Sequence, residues 1–342
     1  MKKVLNPFGI CLLLLLVSAL LSVMVGSSTI PLKTILDVVV SSLSGTQAQT
    51  DPNGVFSTIL FSLRIPHMAL LLLVGAGLAG SGAAYQGLFR NPLADPYLIG
   101  VASGAGLGAV IAMTVQWPYT TLGLMAIPLS AFIGAGAAVA IVSLMARVGK
   151  TIPTTNLILA GVVVSSFCTA LSSLFMINSS GDLRRALVWL LGGSTQTGWS
   201  PVLAVLPYMA VGMVILLAVG NPLNVMQFGD EQASQLGVPV TKVRWLTIFA
   251  ATLTTAAAVA YAGIIGFVGL VVPHIIRMVW GGDCRRLIPL SFLGGASLLL
   301  LTDAAARSAF APQEIPVGII TALLGAPFFL WILRRSKSQN YW

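Results

Sequence analysis

Charge is what this sequence has least of. Lysine, arginine, aspartate and glutamate make up 8% of its 342 residues, where a soluble domain carries about 25%. So few charges cannot cover a water-facing surface, which excludes a soluble enzyme, a disordered tail and a nucleic-acid-binding domain. Cysteine is scarce too: Cys11, Cys168 and Cys284 each lie in or beside an apolar stretch. An odd set without ligand spacing gives neither a disulfide framework nor a metal site. The two histidines, His67 and His274, stand far apart in sequence without nearby carboxylates or thiols, and a structural role is expected of both. The nine acids fall in loops or near the ends of apolar runs. No span centre therefore carries the carboxylate that a proton- or sodium-coupled carrier uses.

Nucleotide and catalytic motifs are missing as well. Gly149-Lys150-Thr151 looks like the end of a phosphate-binding loop, but Leu144 stands where the first glycine must be. Gly75-x-Gly77-x-x-Gly80 has the letters of a dinucleotide fingerprint without the strand that must precede it. Inside an apolar run such glycines bring helices close, and the same reading covers Gly104, Gly106, Gly108, Gly134 and Gly136. No nucleophile–base constellation occurs, so the chain is not expected to be an enzyme. If ATP drives it, another polypeptide binds the ATP.

What the sequence does have is apolar residues: 57% are hydrophobic and mean hydropathy is +0.95. A bilayer core about 30 Å thick needs roughly 20 apolar residues per helical span. About ten such windows occur, at 8–25, 68–85, 98–115, 121–146, 156–177, 201–219, 245–261, 264–280, 287–304 and 317–333. The seventh and eighth are expected to meet in a tight turn at Ala262-Gly263. Lys2-Lys3 before the first window has the look of a signal peptide, but an uncleaved first span fits a chain so apolar throughout. The formal net charge of +9 reports orientation, because the cations flank spans. Lys2, Lys3, Arg90, Arg147, Lys150, Lys242, Arg244, Arg277, Arg285, Arg286, Arg334, Arg335 and Lys337 fall on one side. The other side holds only Lys33, Arg64, Arg184, Arg185 and Arg307. Both termini are thereby placed in the cytoplasm. Short interfacial helices are expected at Pro31–Asp37 and Asp182–Leu190, and residues 1–342 form a single membrane domain.

Three polar stretches interrupt the apolar background. Arg90-Asn91-Pro92-Leu93-Ala94-Asp95-Pro96 must cross in extended form because of its prolines, with Asn91 and Asp95 serving free backbone groups. Leu223–Gly237 offers Asp230 as an N-cap and Gly237 as a stop, giving a short cytoplasmic helix. Ala233 and Leu236 on one side of it suit docking onto another protein. The third stretch is Gly263–Arg286, with Gly266-Phe267-Val268-Gly269 and Pro273-His274-Ile275-Ile276-Arg277.

Together these stretches resemble the permease subunits of type II ABC importers, which take up ferric siderophores, haem and vitamin B12. The likeness runs from Leu63-Arg64-Ile65-Pro66 through Gly80-Ser81-Gly82-Ala83-Ala84-Tyr85-Gln86 and the Asn91–Pro96 stretch. It continues through Trp189, Gly193-Ser194, Leu223–Gly237 and Gly266–Arg277. It ends at Asp303-x-x-x-Arg307, Glu314-Ile315-Pro316-Val317-Gly318 and Gly325-Ala326-Pro327. The resemblance implies an all-α subunit of about ten transmembrane helices in the cell inner membrane, paired with a second permease subunit, identical or different. It also implies two ATPase subunits that bind ATP and Mg, and an extracytoplasmic substrate-binding protein; the chain itself holds no cofactor or metal. By the same resemblance Gly229, Asp230, Glu231, Ala233, Leu236 and Gly237 form the ATPase contact. Arg64 and Arg307 match outer arginines that dock the binding protein. His67 stands where the vitamin B12 permease has a further arginine, which argues against that cargo and makes docking sensitive to pH. Ferric siderophore is the first expectation for cargo, ahead of haem, vitamin B12 and molybdate. The alternative is an ion-coupled carrier that works without an ATPase.

Overall fold

The computed structural model describes residues 6–336 except 27, 28, 47, 49, 52, 116, 119, 150–152, 179–182, 194–196, 310 and 312. Lys2, Lys3, Lys150, Thr151, Asp182, Ser194 and Lys337 lie outside the described residues, as does the side chain of Arg335. In hydrocarbon a backbone must satisfy its own polar groups, and the helix does so within one segment. Among the described residues every extended regular element is accordingly helical. In order these are α1 (Pro7–Met24), α2 (Leu32–Ser44), α3 (Val55–Thr58), α4 (Ile65–Leu88), α5 (Val101–Met113), α6 (Thr121–Met145) and α7 (Thr154–Asn178). They continue with α8 (Leu183–Leu190), α9 (Trp199–Met226), α10 (Asp230–Gln235), α11 (Val240–Ala262), α12 (Val268–Trp280), α13 (Cys284–Ser308) and α14 (Val317–Ser336).

Seven of these helices are long and apolar enough to cross a membrane: α1, Val55–Leu88 with α4 at its core, α6, α7, α9, α11 and α13. α5, α12 and the apolar part of α14 are shorter. Each of the ten sequence windows coincides with one of them. A 13-residue helix rises only about 20 Å, less than the hydrocarbon thickness. Non-helical backbone makes up part of the difference. A 3-10 turn, Pro96–Ile99, precedes α5 and is capped by the Asp95 carboxylate, which accepts from the Tyr97 amide at 2.7 Å.

Before α12 the expected tight turn is replaced by a five-residue break, Gly263–Phe267. Gly263 at φ +74° and Phe267 at φ +69° both leave the helical region. Broken backbone at this depth needs partners. The Tyr97 hydroxyl supplies them, donating to the Ile265 carbonyl at 2.9 Å and accepting from the Ile265 amide at 3.3 Å.

α4 is the hub. Every residue from Val74 to Leu88 is buried, and its neighbours are α13, α11, α9 and α12. A Cβ on Gly75 would collide with the Gly295 carbonyl, one on Gly295 would collide with the Gly75 carbonyl, and one on Gly80 would enter the Phe292 ring. The glycine pattern in this span is thus a helix-packing device. α5, α6 and α7 form the flanking group, where Gly104 and Gly134 approach in the same reciprocal way.

Candidate functional site

Two clusters of charged side chains close the ends of this bundle, and a hydroxyl-bearing helix face runs between them. At the end taken as outer, α1 terminates and leaves carbonyls without helical partners, as every helix does. Arg64 sits in the π-helical turn Ile59–Arg64 that leads into α4, and its Nη1 donates to the Val23 and Met24 carbonyls. Arg307, in the last turn of α13, donates from Nη2 to the Ser22 carbonyl at 3.0 Å and from Nε to Asp303 Oδ2 at 2.7 Å. Both guanidiniums converge on Gly26. A cation at a helix C-terminus is also favoured by the helix dipole. His67 Nε2 lies 3.0 Å from Asp303 Oδ1.

Arg64 and Arg307, the residues expected to dock a binding protein, bond here to the end of α1. Arg64 is 8% exposed and the Arg307 side chain 11%; both face inward because they serve the end of α1. His67 is the accessible member, at 32%. It borders a cavity of about 250 Å³ lined also by Asp303, Arg307, Glu314, Gly192 and Gly193. On the rim of the same end, Arg184 and Arg185 of α8 are exposed.

At the opposite end, α10 is the expected short helix, but Asp230 is its first residue and Gly229 occupies the cap position. Freed from capping, the Asp230 carboxylate splits between the turn after α4 and helix α11. Arg90 Nη2 reaches Oδ1 at 2.8 Å and Arg244 Nη2 reaches Oδ2 at 2.6 Å. Ala233 is fully buried, so it anchors α10 to the body and cannot be part of an exposed contact face. Glu231, Leu236 and Gly237 are exposed. Leu236 at 70% and Phe228 at 72% are apolar groups left open to solvent at this end, and Phe228 was not singled out from sequence.

Sequence reasoning also missed a link beside α10. Asn224, near the end of α9, accepts from the Cys284 amide at 2.7 Å and donates to Asp283, which caps α13. The Arg285 guanidinium and the Asn224 amide hold the Asp283 carboxyl below its ordinary value. An aspartate just before an apolar run is the N-cap signal that could have found it. Burial pushes the Asp95 carboxyl the other way, up to about 6, against the stabilising Tyr97 amide.

Between the two ends, α7 buries Leu157, Ala160, Gly161, Val164, Cys168 and Ser172. Its uncovered face carries Ser166, Thr169 and Ser173 at helical spacing. Ser166 donates to the Val162 carbonyl and Ser173 to the Thr169 carbonyl, and the three hydroxyls lie among exposed Leu159, Val162 and Ile177, so this face is uncharged and mostly apolar. Among the described residues no group of three or more His, Cys, Asp or Glu is placed to hold a metal ion.

Comparison with known proteins agrees with this geometry. Residues 14–335 match the model of the FecCD transport family. The hemin transport system permease protein of Yersinia pestis is 38% identical over 97% of this chain and 96% of its own. The cobalamin import system permease protein of Halobacterium salinarum is 44% identical over 81% of this chain and 73% of its own. The Fe(3+)-citrate import system permease protein of Bacillus subtilis is 36% identical over 97% and 96%. Among solved structures, a metal-chelate type ABC transporter in an inward-facing conformation superposes with a TM-score of 0.79. It is 32% identical and covers 96% of this chain and 98% of that one. The chain therefore belongs to the FecCD transport family and is the membrane-spanning permease of an ABC importer, whose ATP hydrolysis resides in a separate subunit.

Proposed function

We propose that this permease moves a bulky metal chelate inward, with a ferric siderophore as first candidate and haem or cobalamin next. The observation that carries the reading is the uncharged hydroxyl face of α7 (Ser166, Thr169, Ser173), left uncovered by the chain itself. Such a face suits a path that holds no cargo tightly. The cargoes named for the relatives, hemin, cobalamin and ferric citrate, are all metal chelates. Residues 1–342 act as one membrane domain that pairs with a second permease subunit so that two such faces enclose the path. Both termini lie in the cytoplasm of a cell whose inner membrane holds the complex.

Two ATPase subunits, which bind ATP and Mg, dock on the surface of Phe228, Glu231, Leu236 and Gly237. An extracytoplasmic binding protein meets the opposite rim at His67, Glu314, Arg184 and Arg185, while Arg64 and Arg307 keep α1 in place beneath it. The test is uptake into proteoliposomes holding the permease with its ATPase and binding protein, using radiolabelled ferric siderophore, haem and cobalamin in parallel. ATP-dependent uptake of one chelate is expected. Uptake that needs no ATPase and follows a proton or sodium gradient would overturn the reading.

A further inference from the structure

The brace on Asp230 has a geometry that docking alone does not require. α10 has six residues, too few to be stable by itself, so it moves with whatever holds it. Gly229 at φ +120° joins it to α9, and a hydrogen-bonded turn through Gly237 at φ +83° leads on to α11. The carboxylate of Asp230 commits one oxygen to Arg90, just beyond the last turn of α4, and the other to buried Arg244 in α11. Arg90 holds φ +53°, a left-handed conformation that non-glycine residues adopt at a cost. That conformation aims its guanidinium at α10. α4 and α11 pack directly on each other in the bundle centre.

We propose that Asp230 is a transmission joint, which passes displacement of α10 to α4 through Arg90 and to α11 through Arg244. The inference rests on α10 being the ATPase contact. Asp230 and its arginines are positioning residues: they touch neither ATP nor cargo. An aspartate in the first turn of a helix is favourable by itself, so a merely structural role predicts that Arg90 is dispensable.

Arg90→Gly separates the two. It relieves the left-handed backbone, leaves Asp230 at the start of α10 and removes one arm of the joint. The measurement uses the full permease with its ATPase and binding protein in proteoliposomes, and reads three quantities: ATPase co-purification, thermal stability and chelate moved per ATP hydrolysed. Assembly and stability are expected to hold in Arg90→Gly. The chelate-to-ATP ratio should fall about two- to five-fold, the span that one partly exposed ion pair carries. Arg90→Lys, which keeps the cation, should recover most of it. An unchanged ratio in Arg90→Gly, or a loss that Arg90→Lys does not recover, overturns the joint alone. A Leu236→Asp complex that keeps its ATPase overturns instead the contact on which the joint depends.

Discussion

Replacing Asp303 by asparagine keeps the shape of the side chain and removes its charge, which isolates what the outer cluster does electrostatically. In the parent the carboxylate is buried and takes Arg307 Nε at 2.7 Å and His67 Nε2 at 3.0 Å. Asparagine keeps one acceptor, but its amide group meets a second donor, and the buried Arg307 charge loses its counterion. Removing one partner of a buried pair costs about 3–5 kcal/mol. The acceptor that remains, with the Arg307 bonds to Ser22, brings the expected cost to about 2–3 kcal/mol. Arg307→Gln should cost less, because the His67 Nε2 contact at 3.0 Å still serves the carboxylate. The double variant Asp303→Asn, Arg307→Gln leaves no buried charge unpaired, so it should lie within about 1 kcal/mol of Arg307→Gln and above Asp303→Asn. Thermal unfolding in nanodiscs, followed by tryptophan fluorescence, gives the order of the midpoints. A double variant that loses the sum of the two single losses refutes the idea that the pair acts as one unit.

Further outcomes follow from the packing and the loops. Gly75→Val should cost about 1–3 kcal/mol or more by driving a branched side chain into Gly295 and Leu299, while Gly136→Ala, which faces open space, should be neutral; fluorescence-detected gel filtration of folded protein compares them. Asp95 titrates near 6 in the fold against an ordinary 3.8, so its contribution is largest below pH 4 and is lost as pH rises through about 6. Asp95→Asn keeps the cap and should remove that dependence, at most ~3 kcal/mol developed between about pH 4 and 6, which melting curves between pH 4 and 7 would detect as a smaller difference. Cysteines placed along α7 in the assembled complex should react at 166, 169 and 173 and stay silent at 164 and 172; uniform protection removes α7 from the path.

Hydropathy located all ten apolar helices, because a window long enough to span hydrocarbon is a property of consecutive residues. It misread the junction of the seventh and eighth, because the break at Gly263–Phe267 depends on a partner, Tyr97, more than 160 positions earlier in the chain. The glycine patterns were legible as packing, since small residues at helical spacing serve that purpose in lipid; Gly136 is the exception, because its face of α6 meets open space. Motif resemblance pointed to Arg64, Asp303, Arg307 and Asp230, but not to Arg90 or Arg244 as partners of Asp230, and left unstated which way each one points. Arg64 and Arg307 turn inward because α1 ends beside them, and Ala233 turns inward because α10 lies on its buried side. Neither fact is local in sequence. Asp230 was legible as a helix start, yet its actual partners, Arg90 and Arg244, come from two other segments of the chain.

The two end clusters share one element. α4 begins beside Arg64 and His67 and ends two residues before Arg90, so each cluster grips one end of a helix about 36 Å long. Between those ends its second half is wholly buried, and glycines bring it against α13 at Gly75–Gly295 and against α12 at Gly82–Gly269 with no side chain between the backbones. Close-packed interiors are stiff and transmit strain. Packed this closely, the rod passes a displacement at its Arg90 end on to its neighbours. Its outer end carries the His67–Asp303–Arg307 cluster, which fixes α13 and the end of α1. Motion entering at Asp230 would therefore arrive at the rim of the outer cavity through a single helix. This makes α4 the element in which changes at the proposed ATPase face and at the proposed binding-protein face are expected to show non-additive effects, a coupling that double-variant cycles between Arg90 and His67 can measure directly.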